Sequence, residues 1–164
     1  PLPVLVSDTS VIIDLERGGF LEDLFRLPYA FAVPDLLFHH ELRGELGDRL
    51  VALGLIIQEL DPAELTRAIA VRRERTVLSA PDTFAFAIAE QRRWALLTGD
   101  GALRRLAADN GVETHGLLWL CDRFEEHEVL GYAQLHAGLT TISTHPRCRL
   151  PAAEVRVRLN RYLV

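Results

Sequence analysis

Lysine and methionine are absent from this 164-residue chain, and cysteine is nearly so. The two cysteines, Cys121 and Cys148, lie far apart and match no CxxC or Cys/His ligand spacing, which excludes a disulfide scaffold and a structural zinc site. Two buried free thiols in a reducing compartment are expected. All 18 basic residues are arginine, a bias that carries no functional information by itself. Long apolar runs are missing too. The longest stretch without Asp, Glu or Arg, Val129–Pro146, is interrupted by Gly131, Gln134, His136 and Gly138, so no membrane span is expected. The first residues, PLPVLVSDTS, lack the basic and apolar regions of a signal peptide, and the expected location is the cytoplasm. No GxxxxGK loop and no GxGxxG turn is present, and Asp8-Thr9-Ser10 lacks the second aspartate of an Asp-x-Asp phosphatase.

What is present is the balance of an ordinary globular domain, 49% hydrophobic and 25% charged. The net charge of −5 hides an asymmetry. From Thr141 onward five arginines (Arg147, Arg149, Arg156, Arg158 and Arg161) stand against one acid, Glu154. An acidic body does not suggest unaided binding to nucleic acid, since phosphate contacts need cations. The basic tail is expected first to pack on its own domain, with contact to RNA or to a partner as alternatives. The expected organisation is a domain over residues 1–145 with an arginine-bearing extension over 146–164.

Apolar runs alternate with helical patterns. Strands are predicted at Val4–Ser7, Ala30–Val33, Leu55–Gln58, Trp94–Thr98 and Val112–Thr114. Helices are predicted at Thr9–Glu16, Phe20–Arg26, Asp35–Glu45, from Asp61 to about Arg75, Thr83–Arg93, Ala102–Asn110, Leu117–Glu126 and Tyr132–Ile142, with a short one opened by Pro151-Ala152-Ala153-Glu154. Asp61-Pro62-Ala63-Glu64 and Ser79-Ala80-Pro81-Asp82 are helix-start signatures. Phe84–Ala89 is apolar on nearly every face, which predicts a central helix. Short strands alternating with helices mean an α/β fold, a parallel sheet covered on both faces.

In such a fold the C-terminal ends of the strands share one edge. Asp8 ends the first strand, Glu41 lies one to two turns into the helix after the second, Asp82 starts the central helix, and Asp100 follows the fourth strand. Each acid has a structural alternative. Asp8 and Asp100 suit helix N-caps, Asp82 the N3 member of a capping box with Ser79, and Glu41 a solvated helix face. Together, four carboxylates at one edge select a hard cation, Mg²⁺ or Mn²⁺. Among weaker signals, His39, His40 and His115 have no partner at metal-ligand spacing. Arg104 and Arg105 suit either a phosphate or the acids Asp109 and Glu113. Trp94 and Trp119 are expected in the core.

Four segments in order carry a family resemblance. Val4-Leu5-Val6-Ser7-Asp8-Thr9-Ser10 resembles the opening strand and acid of PIN-domain proteins. Pro34 through Glu41-Leu42 is similar to their second motif, Asp82-Thr83-Phe84-Ala85 with Ala89 to the third, and Leu96-Leu97-Thr98-Gly99-Asp100 with Leu103-Arg104 and Ala107 to the fourth. Val112–Gly116 resembles the strand and glycine that follow. The resemblance spans residues 4 to 126. It implies a three-layer α/β/α fold around a parallel five-stranded sheet of order 3-2-1-4-5, and a metal-dependent endoribonuclease. It makes Asp8, Glu41, Asp82 and Asp100 the catalytic and metal-binding acids, with Ser10 and Thr98 holding the carboxylates. Similarity to VapC-type toxins implies tRNA or rRNA as substrate, a small antitoxin as partner, and a homodimer. One departure is Gly101-Ala102-Leu103 after Asp100, where many such toxins carry a further acid. The competing readings are a catalytically inert PIN-like module that binds RNA or protein, and a Mg²⁺-dependent hydrolase of a small phosphate ester.

Overall fold

The computed structural model describes residues 1–164 and contains five short strands: β1 (Val4–Ser7), β2 (Ala30–Pro34), β3 (Ile56–Gln58), β4 (Ala95–Leu97) and β5 (Thr114–His115). They form one parallel sheet of order β3-β2-β1-β4-β5. β1 is central, with Val6 opposite Ala32 of β2 on one side and Leu96 of β4 on the other. The chain order therefore reverses at β1, where α/β sheets open a crevice at the strand C-termini.

Side chains alternate across the sheet with period two. Leu5, Phe31, Val33 and Leu97 belong to the larger of two cores, and Val6 and Leu96 to the smaller. Both faces need cover, which is why these strands read as unbroken apolar runs. The smaller core is closed by α5 (Pro62–Glu74), α6 (Ala80–Arg92) and α7 (Gly101–Asp109), through Val71, Phe86, Ile88, Leu103 and Leu106. The larger one is closed by α1 (Thr9–Arg17), α2 (Leu21–Leu24), α4 (Glu45–Leu53), α8 (Leu117–Glu126), α9 (Tyr132–Ser143) and α10 (Ala152–Tyr162). The result is a three-layer α/β/α fold. No helix is long and apolar enough to cross a membrane.

α6 is central, with Ala85, Phe86, Ala87, Ile88 and Ala89 all buried. It is tied to α5 by an ion pair between Arg92 and the buried Glu64, 2.7 Å long. Glu64 also completes a capping box with Asp61, and the Arg92 hydrogen bond holds its carboxyl below the usual range. α10 packs on α9 and sinks Val155 and Tyr162 into the larger core. Arg158 grips Asp122 of α8 with two bonds of 2.9 and 2.8 Å, and Arg161 reaches Asp122 and Glu125.

The structure corrects several boundaries. Asp35–Glu45 is not one helix. A single turn, α3 (Asp35–Leu37), widens into a π-helical turn at Phe38–Leu42, and Arg43 then leaves in extended conformation. Gly44, at φ 113°, breaks the chain there and α4 starts anew. α4 has no counterpart in the sequence reading, because Gly47 interrupts its pattern. A side chain at Gly47 would strike the Phe38 ring, so glycine is what lets α4 lie against the π-turn. β5 lies at Thr114–His115 rather than Val112–Thr114. Trp94 and Trp119 are only partly buried, each at the margin of a different core. Both cysteines are free; Cys121 is buried, which pushes its thiol up to about 12, whereas Cys148 is only half-buried.

Candidate active site

Asp8 leaves β1 as the N-cap of α1. One carboxylate oxygen accepts from the Val11 amide and the Ser10 hydroxyl, both at 3.0 Å, and the other from the Thr98 hydroxyl at 2.5 Å. Its own amide donates to Leu97 O at 2.9 Å, so β4 and Asp8 are locked together. Asp100 is the N-cap of α7, accepting from the Leu103 amide at 2.9 Å, while its amide donates to the Thr98 hydroxyl. Thr98 thus joins the two acids. Ser10 and Thr98 sit where the family resemblance puts carboxylate-holding donors. Asp82 lies in the first turn of α6, and its amide donates to the N-cap Ser79. Glu41 rides the π-turn and accepts from the Thr9 hydroxyl.

The capping alternative and the site are therefore the same geometry. Three helix N-termini meet at one sheet edge; Asp8 and Asp100 cap two of them, and Asp82 lies in the first turn of the third, behind its cap Ser79. Helix N-termini favour such carboxylates by a few tenths to about 1 kcal/mol each. Asp8, Glu41, Asp82 and Asp100 all line one cavity of about 420 Å³. Burial pushes Asp82 up to about 6, opposed by the Ser79 hydrogen bond and reinforced by Asp8, Asp100 and Glu41. Asp8 is raised as well, by burial, against the hydrogen bonds of Thr98, Val11 and Ser10. Four carboxylates around one cavity, two of them raised chiefly by burial, are the donor set of a hard cation. No three Asp, Glu, His or Cys side chains converge closely enough to enclose an ion as they stand.

Four further charged residues line this cavity that the sequence alone did not place there. Asp14 and Arg17 of α1 form an ion pair of 3.4 Å, and burial raises the Asp14 carboxyl. With Ser10 they make a polar stripe at positions 10, 14 and 17, the i, i+4, i+7 spacing of one helix face, which was legible in the sequence. Arg147 and Arg149 come from the segment between α9 and α10, and nothing local marks them. Among the weaker signals the expected arginine pairings are corrected, and the histidines lie outside the cavity. Arg104 meets neither a phosphate-facing cleft nor an acid: its Nε donates to Thr98 O at 3.1 Å. Asp109 pairs instead with Arg75. His39 and His40 are exposed and lie off the cavity wall. His115 stacks on Trp119 at 3.9 Å and pairs with Glu113.

A family model described as a PIN domain matches residues 4–162, nearly the whole chain and including α10. No curated protein matches. The sheet order, the crevice at its reversal and that match together make this chain a member of the PIN-domain family, whose fold is of the nuclease type.

Proposed function

We propose that this chain is a Mg²⁺- or Mn²⁺-dependent endoribonuclease that hydrolyses RNA phosphodiester bonds, and that it acts as the toxin of a type II toxin–antitoxin pair. Its catalytic and metal-binding residues in this reading are Asp8, Glu41, Asp82 and Asp100. Its substrate is tRNA or rRNA, its partners are a small antitoxin and a second copy of itself, and its location is the cytoplasm. The observation that carries the reading is the convergence of those four acids, from four separate elements, on one cavity.

Asp8, Asp82, Asp100 and Glu41 would hold the cation, which when bound neutralises a phosphodiester's charge and acidifies a water. Each side chain has a distinct part. Asp8 is fixed by three donors and cannot swing, so it defines the floor of the site. Asp100 is fixed by its cap bond and by Thr98. Glu41 is exposed and held by Thr9, which suits it to orient the attacking water and to take up its proton. Asp82, raised to about 6, and Asp8, also raised, are acids whose ionisation a bound cation would favour.

The test is cleavage of a mixed tRNA and rRNA pool with Mn²⁺ or Mg²⁺, with EDTA and Asp8→Asn protein alongside. Asparagine keeps the oxygen that caps α1, so the fold survives the change. Cutting is expected in the parent, lost with EDTA, and lowered at least about a hundredfold in Asp8→Asn. Wild-type turnover in Asp8→Asn would remove that acid from the mechanism. Metal binding without cutting would favour a small phosphate ester. Neither binding nor cutting would favour an inert PIN-like module.

A further inference from the structure

The cavity wall carries more acid than an RNA backbone tolerates. Asp8, Glu41, Asp82 and Asp100 repel a phosphodiester, and Asp14 is already paired with Arg17. The unpaired cations on that wall are Arg147 and Arg149. Both are exposed and neither makes an ion pair, although five carboxylates line the same cavity. Arg158 and Arg161, farther along the same tail, are by contrast committed to Asp122 and Glu125. The segment bearing the two free guanidinium groups is anchored at both ends. α9 ends at Ser143 with Ile142 in the larger core, and Leu150 packs against that core as α10 begins. Within it the Cys148 amide donates to His145 O at 2.9 Å, and the Arg147 amide to His145 Nδ1 at 3.1 Å. Two cations are thus held at the mouth of an acidic cavity with no anion of the protein to satisfy them.

We propose that Arg147 and Arg149 are positioning residues that bind the phosphates flanking the scissile bond and so bring single-stranded RNA onto the acids. The proposal rests on the nuclease reading above and extends it to substrate capture. Guanidinium groups suit the role because they bind phosphate oxygens through two N–H donors at once.

The experiment measures binding of a short labelled single-stranded RNA, by fluorescence anisotropy in Mg²⁺ across a range of salt, to full-length Asp100→Asn protein, in which cleavage is expected to be lost. Adding Arg147→Ala with Arg149→Ala is expected to weaken binding about tenfold or more and to flatten the dependence of log affinity on log salt by about 1.4, two phosphates at roughly 0.7 each. Arg147→Lys with Arg149→Lys should restore most of the slope, because each lysine keeps its charge. Arg156→Ala, which removes an exposed arginine of the same tail away from the cavity, should change neither quantity. In the otherwise unaltered chain the double alanine variant should raise KM with kcat nearly constant. An unchanged salt slope with RNA still bound would overturn the role of the two arginines and leave the nuclease reading standing. No RNA binding by the Asp100→Asn parent at any salt would overturn both.

Discussion

Asp8 and Asp82 show how much one side chain can be asked to do. Asp8 caps α1, ties β1 to β4 through Thr98 and faces the cavity, all with two oxygens. Asp82 is less well supplied with donors, and it shares with Asp8 the cost of burying a carboxylate. Its value of about 6, against 3.8 unperturbed, means that the folded chain binds that proton more tightly than the unfolded one. The stability linked to Asp82 is then fully present below 3.8 and is lost as pH rises through about 6. Asp8 and Asp14, both raised, act in the same direction. Glu64, held low by Arg92, acts oppositely, but only below its unfolded value of 4.5. Metal-free protein should therefore melt at a higher temperature as pH falls from about 7 toward 5. Asp82→Asn should raise the melting temperature at pH 7 and flatten that rise. A melting temperature that falls steadily over the same interval in the parent would refute the assignment.

Glycine placement decides how the elements approach. α1 ends at Gly18, and α9 crosses it at Gly138. A Cβ on Gly138 would lie 2.7 Å from Gly18 O and would overlap the Phe20 ring, while one on Gly18 would meet Ile142. Phe20 in turn packs on Phe124 of α8 with ring centroids 5.5 Å apart. Gly138→Ala should destabilise the fold by roughly 1–3 kcal/mol in chemical denaturation, because the ring and two backbones must shift together. Gly101→Ala, where nothing lies within 4 Å of the new methyl group, should be neutral or slightly stabilising. Equal effects of the two changes would show that the crossing is not tight. The π-turn at Phe38–Leu42 belongs to the same scale. It spends one extra residue per turn, and such turns recur at functional sites; here it carries Glu41 to the Thr9 hydroxyl.

For the whole molecule the governing quantity is charge at one edge of a sheet. The acids gathered there make the folded state self-repelling, and a cation that binds only the folded state should relieve that. Saturating Mg²⁺ or Mn²⁺, at about a hundred times Kd, should add about 2.7 kcal/mol. For a domain of this size that is a rise in melting temperature on the order of 5–10 °C. Asp82→Asn should remove most of the rise, and its full persistence there would place the ion elsewhere.

Much of this was legible in the chain because it is local. Period-two and period-3.6 patterns, together with the signatures at Asp61 and Ser79, mark the strands and helices without reference to the rest of the fold. Asp8 and Asp100 were legible for a related reason: in a parallel sheet every strand points the same way, so a residue just after a strand lies at the common edge whatever the strand order, while Asp82 was legible as the start of the central helix and Glu41 as part of the helical turn after β2. What the local pattern hides is a helix interrupted by a tightly packed glycine, as at Gly47, and a turn that leaves 3.6 periodicity, as at Phe38–Leu42. Which side chains from distant segments share a wall is a question of crossings and charge over the whole fold. Only the tertiary structure could commit Arg158 and Arg161 to α8 and leave Arg147 and Arg149 on the cavity wall without an ion pair. No short-range rule separates those two pairs of tail arginines; the docking of α10 on α9 does.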